Sequence, residues 1–283
     1  MDYEREARVQ YQKAYSMAMR NHPQEKKNRN IANPITLNAL LEEGMISCRI
    51  DLGIMEIPTN LIVGIAEPME SMRIFTRDFL PLADPDSESA NFWRNTYQKY
   101  VADPNRSVID CLEYLGKFYV LNGIQEVSVV KFYGACTIKA RIIRMMPIKS
   151  EATAIRRYFD FLVHFHLTNL YQLQFTQPGY FEKLQRALDK EGMMQWNESD
   201  RSSFLMHWPK IERAFQKSFD NSLNITCADA LVILLEKYPY KQLIQMDSWV
   251  LARIFQASWK DFYQFRLTNH KETNLCAASL NIA

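Results

Sequence analysis

The stretch from Lys117 to Ala135 decides the fold and reads KFYVLNGIQEVSVVKFYGA. Its start, Lys117–Leu121, has the bulky and β-branched residues of a strand. Gly123 then permits a tight turn, and Ser128–Tyr133 is typical of a short helix. A second strand pattern follows at Thr137–Met145. The order strand, glycine turn, helix, strand brings a ligand close to the free N–H groups of a helix start.

Changes in the pattern of apolar and turn residues divide the rest of the chain. Short apolar runs broken by turn residues surround the glycine stretch, while apolar residues at helical spacing come before and after it. We therefore predict an α+β fold with an N-terminal helical arm at 1–45, a small mixed-sheet domain at 46–149, an all-helical domain at 150–270 and a frayed tail at 271–283.

Three local signals refine this prediction. Tyrosines and alanines three or four residues apart predict a helix over residues 1–21. Asn33 and Pro34 are typical of an N-cap and first helical position, so a short helix is expected through Leu41. A third strand is expected over Ile57–Val63.

Charge is nearly balanced along the chain. Against 34 Lys and Arg residues stand 32 Asp and Glu residues, so the net charge of +2 gives no global field for a polyanion. Contact with nucleotide or DNA would need a local basic patch. The candidates are Arg20, Lys26, Lys27 and Arg29 in the arm, and Lys139, Arg141, Arg144, Lys149, Arg156 and Arg157 further on.

The sequence also bears on location. Its start, Met-Asp-Tyr-Glu-Arg-Glu, is charged, and no run approaches the roughly 20 apolar residues that span a bilayer. Five cysteines stand without a Cys-x-x-Cys pair, as expected for free thiols in a reducing compartment. A cytoplasmic protein without a membrane partner is expected.

The glycine stretch resembles the signature of ParB/sulfiredoxin-like domains. In that family a strand ends in an Asp-Gly-x-His-Arg-like loop, followed by a helix and a glycine turn, which Gly123 and Gly134 match. Ile57–Gly64 resembles the opening strand of the family. Phe75–Pro81 and Thr176–Leu184 resemble parts of an uncharacterised bacterial branch that carries N- and C-terminal helical extensions.

The resemblance implies a nucleotide or phosphate site with Mg²⁺ at this loop. Two departures oppose it, because Asn122 replaces the family's aspartate and Glu126 replaces its arginine. A carboxylate near a phosphate costs on the order of 1 kcal/mol or more even at surface dielectric. Sulfiredoxin chemistry needs a loop cysteine, and Ile124 stands there instead.

We predict that any cofactor-binding cluster lies in this loop and the helix after it: Asn122, Gly123, Gln125, Glu126, Ser128 and Lys131. The same residues are also typical of a solvated loop in a scaffold that has lost catalysis. No metal site is predicted, since His164 and His166 lie two apart on a helix and point to different faces.

Three functions remain open. The first is a ParB-like regulatory binding protein with a degenerate nucleotide loop, associated with nucleotide or DNA and not strongly catalytic. The second is a nucleotide-dependent small-molecule phosphotransferase or NTPase, in which Glu126 or Glu67 acts as base or metal ligand. The third is an interaction module that forms a homodimer through its aromatic-rich helical half.

Overall fold

The computed structural model describes residues 3–21, 33–104, 106–190, 192, 194–218 and 225–273. The chain divides into two compact units, Met1–Ile148 and Lys149–Ala283. Of the predicted features, the basic residues Lys26, Lys27 and Arg29 and the tail beyond Thr273 lie outside the described residues.

The first unit is a mixed α/β structure with a six-stranded sheet in the order β1-β3-β5-β4-β6-β2. Its elements are α1 (Tyr3–Asn21), β1 (Ile35–Thr36), β2 (Ile46–Pro58), β3 (Ile62–Ile65), α2 (Glu88–Ala102), β4 (Val108–Tyr114), β5 (Lys117–Asn122), α3 (Ile124–Tyr133) and β6 (Thr137–Pro147). The pairs β1–β3, β3–β5 and β4–β6 are parallel, and the pairs β4–β5 and β2–β6 are antiparallel.

The strand, turn, helix and strand predicted around Gly123 are confirmed as β5, α3 and β6. The helix begins at Ile124, four residues before its predicted start. Gly123 adopts the left-handed conformation and accepts a hydrogen bond from Val127 N at 3.0 Å, so it forms the first helical turn.

Two other sequence predictions are wrong. The single strand expected over Ile57–Val63 is broken by a 3-10 turn, Thr59–Leu61, because Thr59 bonds through its N and Oγ1 to the turn before β6. The helix expected after Asn33 is replaced by β1 and a 3-10 turn, since the Asn33 amide donates to Met72 O and Phe75 O instead of capping.

The three helices of this unit meet around the Trp93 side chain, which is 1% exposed. The indole stacks on Tyr97 of α2 and meets Tyr11 of α1 and Phe132 of α3 edge to face. Its N–H donates to the buried Ser128 hydroxyl of α3 at 2.9 Å. One tryptophan therefore joins all three helices, and helix α1 packs within the unit.

The sheet contains a buried ion pair. Glu113 and Arg144 are neighbours on the parallel strands β4 and β6, and Arg144 Nε donates to Glu113 Oε2. The other carboxylate oxygen accepts from Gly116 N at 2.7 Å, in the turn between β4 and β5. Leu115 and Gly116 both have positive φ, as in the tight turns favoured by hairpins. The Glu113 carboxylate thus connects the β4–β5 hairpin to the neighbouring strand β6.

The second unit is helical. Its elements are α4 (Thr153–Thr168), α5 (Tyr180–Ala187), α6 (Glu198–Ser218), α7 (Cys227–Leu235), α8 (Tyr240–Gln245), α9 (Ser248–Ala257) and α10 (Trp259–Thr273). Apolar side chains from all seven helices and the loops between them form its core. Pro239 and Asp247 directly precede α8 and α9.

We expect Arg144→Met to lower the free energy of unfolding by about 3–5 kcal/mol, because it removes the guanidinium that donates to the buried Glu113 carboxylate. Adding Glu113→Gln, which keeps an acceptor for Gly116 N, should restore most of this loss. Urea unfolding of the two variants measures both values, and equal stability of wild type and Arg144→Met would contradict the assignment.

Candidate functional site

The carboxyl ends of β3 and β5 bring two predicted residues to one edge of the sheet. Ile65 pairs with Val120 in parallel, so Glu67 and Asn122 follow their strands at the same end. Asp110 of β4 pairs with Asn122 and adds a second carboxylate there. The predicted loop therefore lies beside two carboxylates, and the exposed Arg141 of β6 pairs with Asp110 on the next strand.

Gly123 is required by packing as well as by its backbone conformation. Its φ is +98°, and a Cβ placed on it would come within 2.6 Å of Ile109 Cγ2. The loop has no room for any side chain at this position, whether or not a ligand binds.

Two side chains of the first turn of α3 have no polar partner among the described residues. Glu126 is half-buried and makes no ion pair there. The Gln125 side-chain oxygen is buried without a hydrogen bond. The Glu126 carboxylate only accepts hydrogen bonds, so it cannot hold a phosphate.

Ser128 and Lys131 face away from the loop surface. The Ser128 hydroxyl is fully buried against Trp93. The Lys131 ammonium donates to Ile62 O at 2.7 Å and lies 4.8 Å from the centre of the Phe79 ring. Burial lowers the pKa of Lys131 to about 8, and the nearby Asp78 carboxylate opposes that shift. The predicted cluster is thus divided between the edge of the sheet and the interior.

The basic patch predicted between Lys139 and Arg157 has fewer exposed members than expected. Arg144 is buried with Glu113, whereas Arg141 of the same strand is exposed. No group of three or more His, Cys, Asp or Glu side chains that could hold a metal ion occurs among the described residues. Similarly, none of the helices described is long and apolar enough to cross a membrane.

A better formed candidate lies in the second unit, between helix α4, the loop after it and the start of helix α5. It is a cleft of about 260 Å³. We name it the His164 cleft and define it by its lining residues: Arg157, Asp160, Phe161, Val163, His164, Phe175, Gln177, Pro178, Gly179 and Glu182.

Helix α4 supplies one wall. Arg157, Asp160, Phe161 and His164 recur at three- and four-residue spacing, so they share one face of the helix. The ring of Phe161 is buried and packs on Tyr171, which attaches the following loop to this wall.

The opposite wall is fixed by helix α7. Asp229 accepts from Thr176 N at 2.9 Å and from Thr226 N at 3.0 Å. Thr226 caps the same helix and donates from its hydroxyl to Gln174 O at 2.7 Å. These bonds hold the loop that carries Gln177 and leads to Glu182.

His164 lines the cleft and is half-buried. Its ring stacks on Phe181 with centroids 4.1 Å apart. Burial lowers the pKa of His164, while the Glu182 and Asp160 carboxylates oppose that shift. The imidazole is therefore mainly neutral at pH 7, and the charged groups of the cleft are two carboxylates and one guanidinium.

These polar side chains are free to bind. Within the described part of the chain, no side-chain hydrogen bond or ion pair engages Arg157, Asp160, His164, Gln177 or Glu182. The exposed Asp160 and Glu182 and the half-buried Arg157, His164 and Gln177 lie around the apolar side chains of the same cleft, an arrangement that a ligand can use. Sequence reasoning considered His164 only as a metal ligand and missed the signal, which is the polar face formed by Arg157, Asp160 and His164.

Comparison with known proteins gives no relative: no family model, curated protein or solved structure matches this chain. The chemistry of the two candidate sites therefore has to be argued from their own residues.

We expect Gly123→Ala to lower the free energy of unfolding by roughly 2–4 kcal/mol, since it combines left-handed strain with the contact to Ile109. Gly134→Ala is the matched control, because Gly134 has φ of +80° but open space around the added Cβ. Its cost should be only about 1–2 kcal/mol. Chemical denaturation without ligand measures both, and equal costs would contradict the packing argument.

Proposed function

We propose that this chain is a non-catalytic binding protein, in which a ParB/sulfiredoxin-like first unit serves as scaffold and the His164 cleft captures a small amine-bearing molecule. The role proposed for the ligand-bound state is regulatory. The proposal rests chiefly on the two unpaired carboxylates of the cleft, Asp160 and Glu182.

The scaffold part is supported by the order of β5, α3 and β6. A strand, a left-handed glycine, a helix and a second glycine turn follow each other as in the family resemblance. The phosphate function is disfavoured by the loop's own residues, because Glu126 stands in the first turn of α3 and Lys131, the basic member of the predicted cluster, donates to Ile62 O.

The ligand class follows from the charges in the cleft. With His164 neutral, Asp160 and Glu182 outnumber Arg157, so the cleft attracts a cation. The half-buried ring of Phe175 suits an ammonium group, which aromatic rings attract. Arg157 offers a fork for an anionic group on the same molecule.

The test is calorimetric titration of the full chain with putrescine, L-lysine and L-arginine, and in parallel with CTP and Mg²⁺. At least one amine should bind. Asp160→Asn and Glu182→Gln should each weaken it about tenfold to a hundredfold, as expected for loss of a charged hydrogen bond worth about 1.5–3 kcal/mol.

Glu43→Gln is the matched control, because Glu43 is an exposed carboxylate of the first unit and its loss leaves the cleft unchanged. Binding of no amine, or equal binding by all variants, would refute the cleft assignment. Binding of CTP with Mg²⁺ that Glu126→Gln weakens would instead revive the nucleotide loop and with it the phosphotransferase or NTPase alternative, in which Glu126 is a metal ligand.

A further inference from the structure

Strand β2 is a long outer strand with an open side. It has 13 residues and stands last in the sheet order, so β6 is its only partner among the described strands. An unpaired edge presents a row of backbone N–H and C=O groups that can bind a further strand.

The side chains of β2 are uncovered as well. Residues Ser47–Asp51 are exposed consecutively, so neither face of the strand is covered there. Ile50 is 41% exposed and Ile54 is 55% exposed. Its partner strand is buried over the same segment, since Met145 pairs with Arg49 and is 3% exposed.

The sequence of this segment is complementary to itself. If a second copy pairs antiparallel about a two-fold axis through Ile50, Arg49 lies directly opposite Asp51 of that copy, and Ile50 lies opposite Ile50. Directly opposed side chains share a face, with Cβ atoms about 4.5–5.5 Å apart. Because of the two-fold symmetry, the pairing contains two Arg49–Asp51 contacts, one on each side of the axis.

The charged residues are available for this pairing. Neither Arg49 nor Asp51 has an ion-pair partner in the described parts of the chain. One oxygen of Asp51 accepts from Gly53 N at 2.8 Å, which leaves its second oxygen for an arginine.

We propose that two copies of this chain associate through their β2 strands, antiparallel and centred on Ile50. The register of β2 against β6 shifts between Ile46 and Cys48 and again between Asp51 and Gly53, so the regular part of the strand around Ile50 is short. Such a short interface gives a weak dimer, with a dissociation constant in the micromolar range or above.

The register is tested by oxidative cross-linking of the full chain with Cys48, Cys136 and Cys276 replaced by serine. Ile50→Cys should form a disulfide-linked dimer at 100 µM protein, because the axis places this position against itself. Glu56→Cys is the matched control, since it is exposed on the same strand but lies roughly 40 Å from its copy in this register.

Sedimentation equilibrium of the wild type gives the second readout. The dimer should be seen, and Arg49→Asp should weaken it at least tenfold at low salt, whereas reversal of the exposed Arg73 should not. A monomer throughout would overturn the proposal. A dimer that Arg49→Asp leaves unchanged, or that cross-links equally at Glu56→Cys, would also overturn it and favour the helical half as the interface.

Discussion

The hydrogen bond from the Trp93 indole to the Ser128 hydroxyl is the contact on which the first unit depends. A buried N–H without an acceptor costs about 1–3 kcal/mol, so the position of α3 is tied to that of α2. Because Gly123 starts α3, the same bond also fixes the loop in which nucleotide chemistry was expected. Ser128 is fully buried against this tryptophan, so its hydroxyl does not reach a phosphate in the loop.

Polar side chains therefore have different roles in the two units. In the first unit, polar side chains such as Glu113, Arg144, Ser128 and Lys131 are engaged with the protein itself. In the second unit, Asp229 accepts the hydrogen bonds that hold the loop beside the His164 cleft. The side chains that line the cleft are consequently left for a ligand.

Local patterns of the sequence predicted part of this arrangement well. The elements β5, α3 and β6 followed from the glycine stretch, because turn and strand preferences act over a few residues. Helix α2 was missed, although Ser87 accepts from Ala90 N as an N-cap and Trp93, Tyr97 and Tyr100 lie at helical spacing.

What the sequence left open depends on contacts far apart in the chain. The partners Trp93 and Ser128 are 35 residues apart, and Thr176 and Asp229 are 53 apart. No local pattern tells whether a serine faces a loop or a tryptophan. For the same reason the cleft, which joins α4 to a loop held by α7, was not recognised as a site.

The most direct test of the account is an amide chemical-shift titration of the isotope-labelled full chain with the tightest-binding amine and, separately, with CTP and Mg²⁺. The account predicts shifts with the amine at Asp160, His164, Gly179 and Glu182, and none with CTP at residues 122–127. Shifts with CTP at residues 122–127, together with an unperturbed cleft, would contradict it.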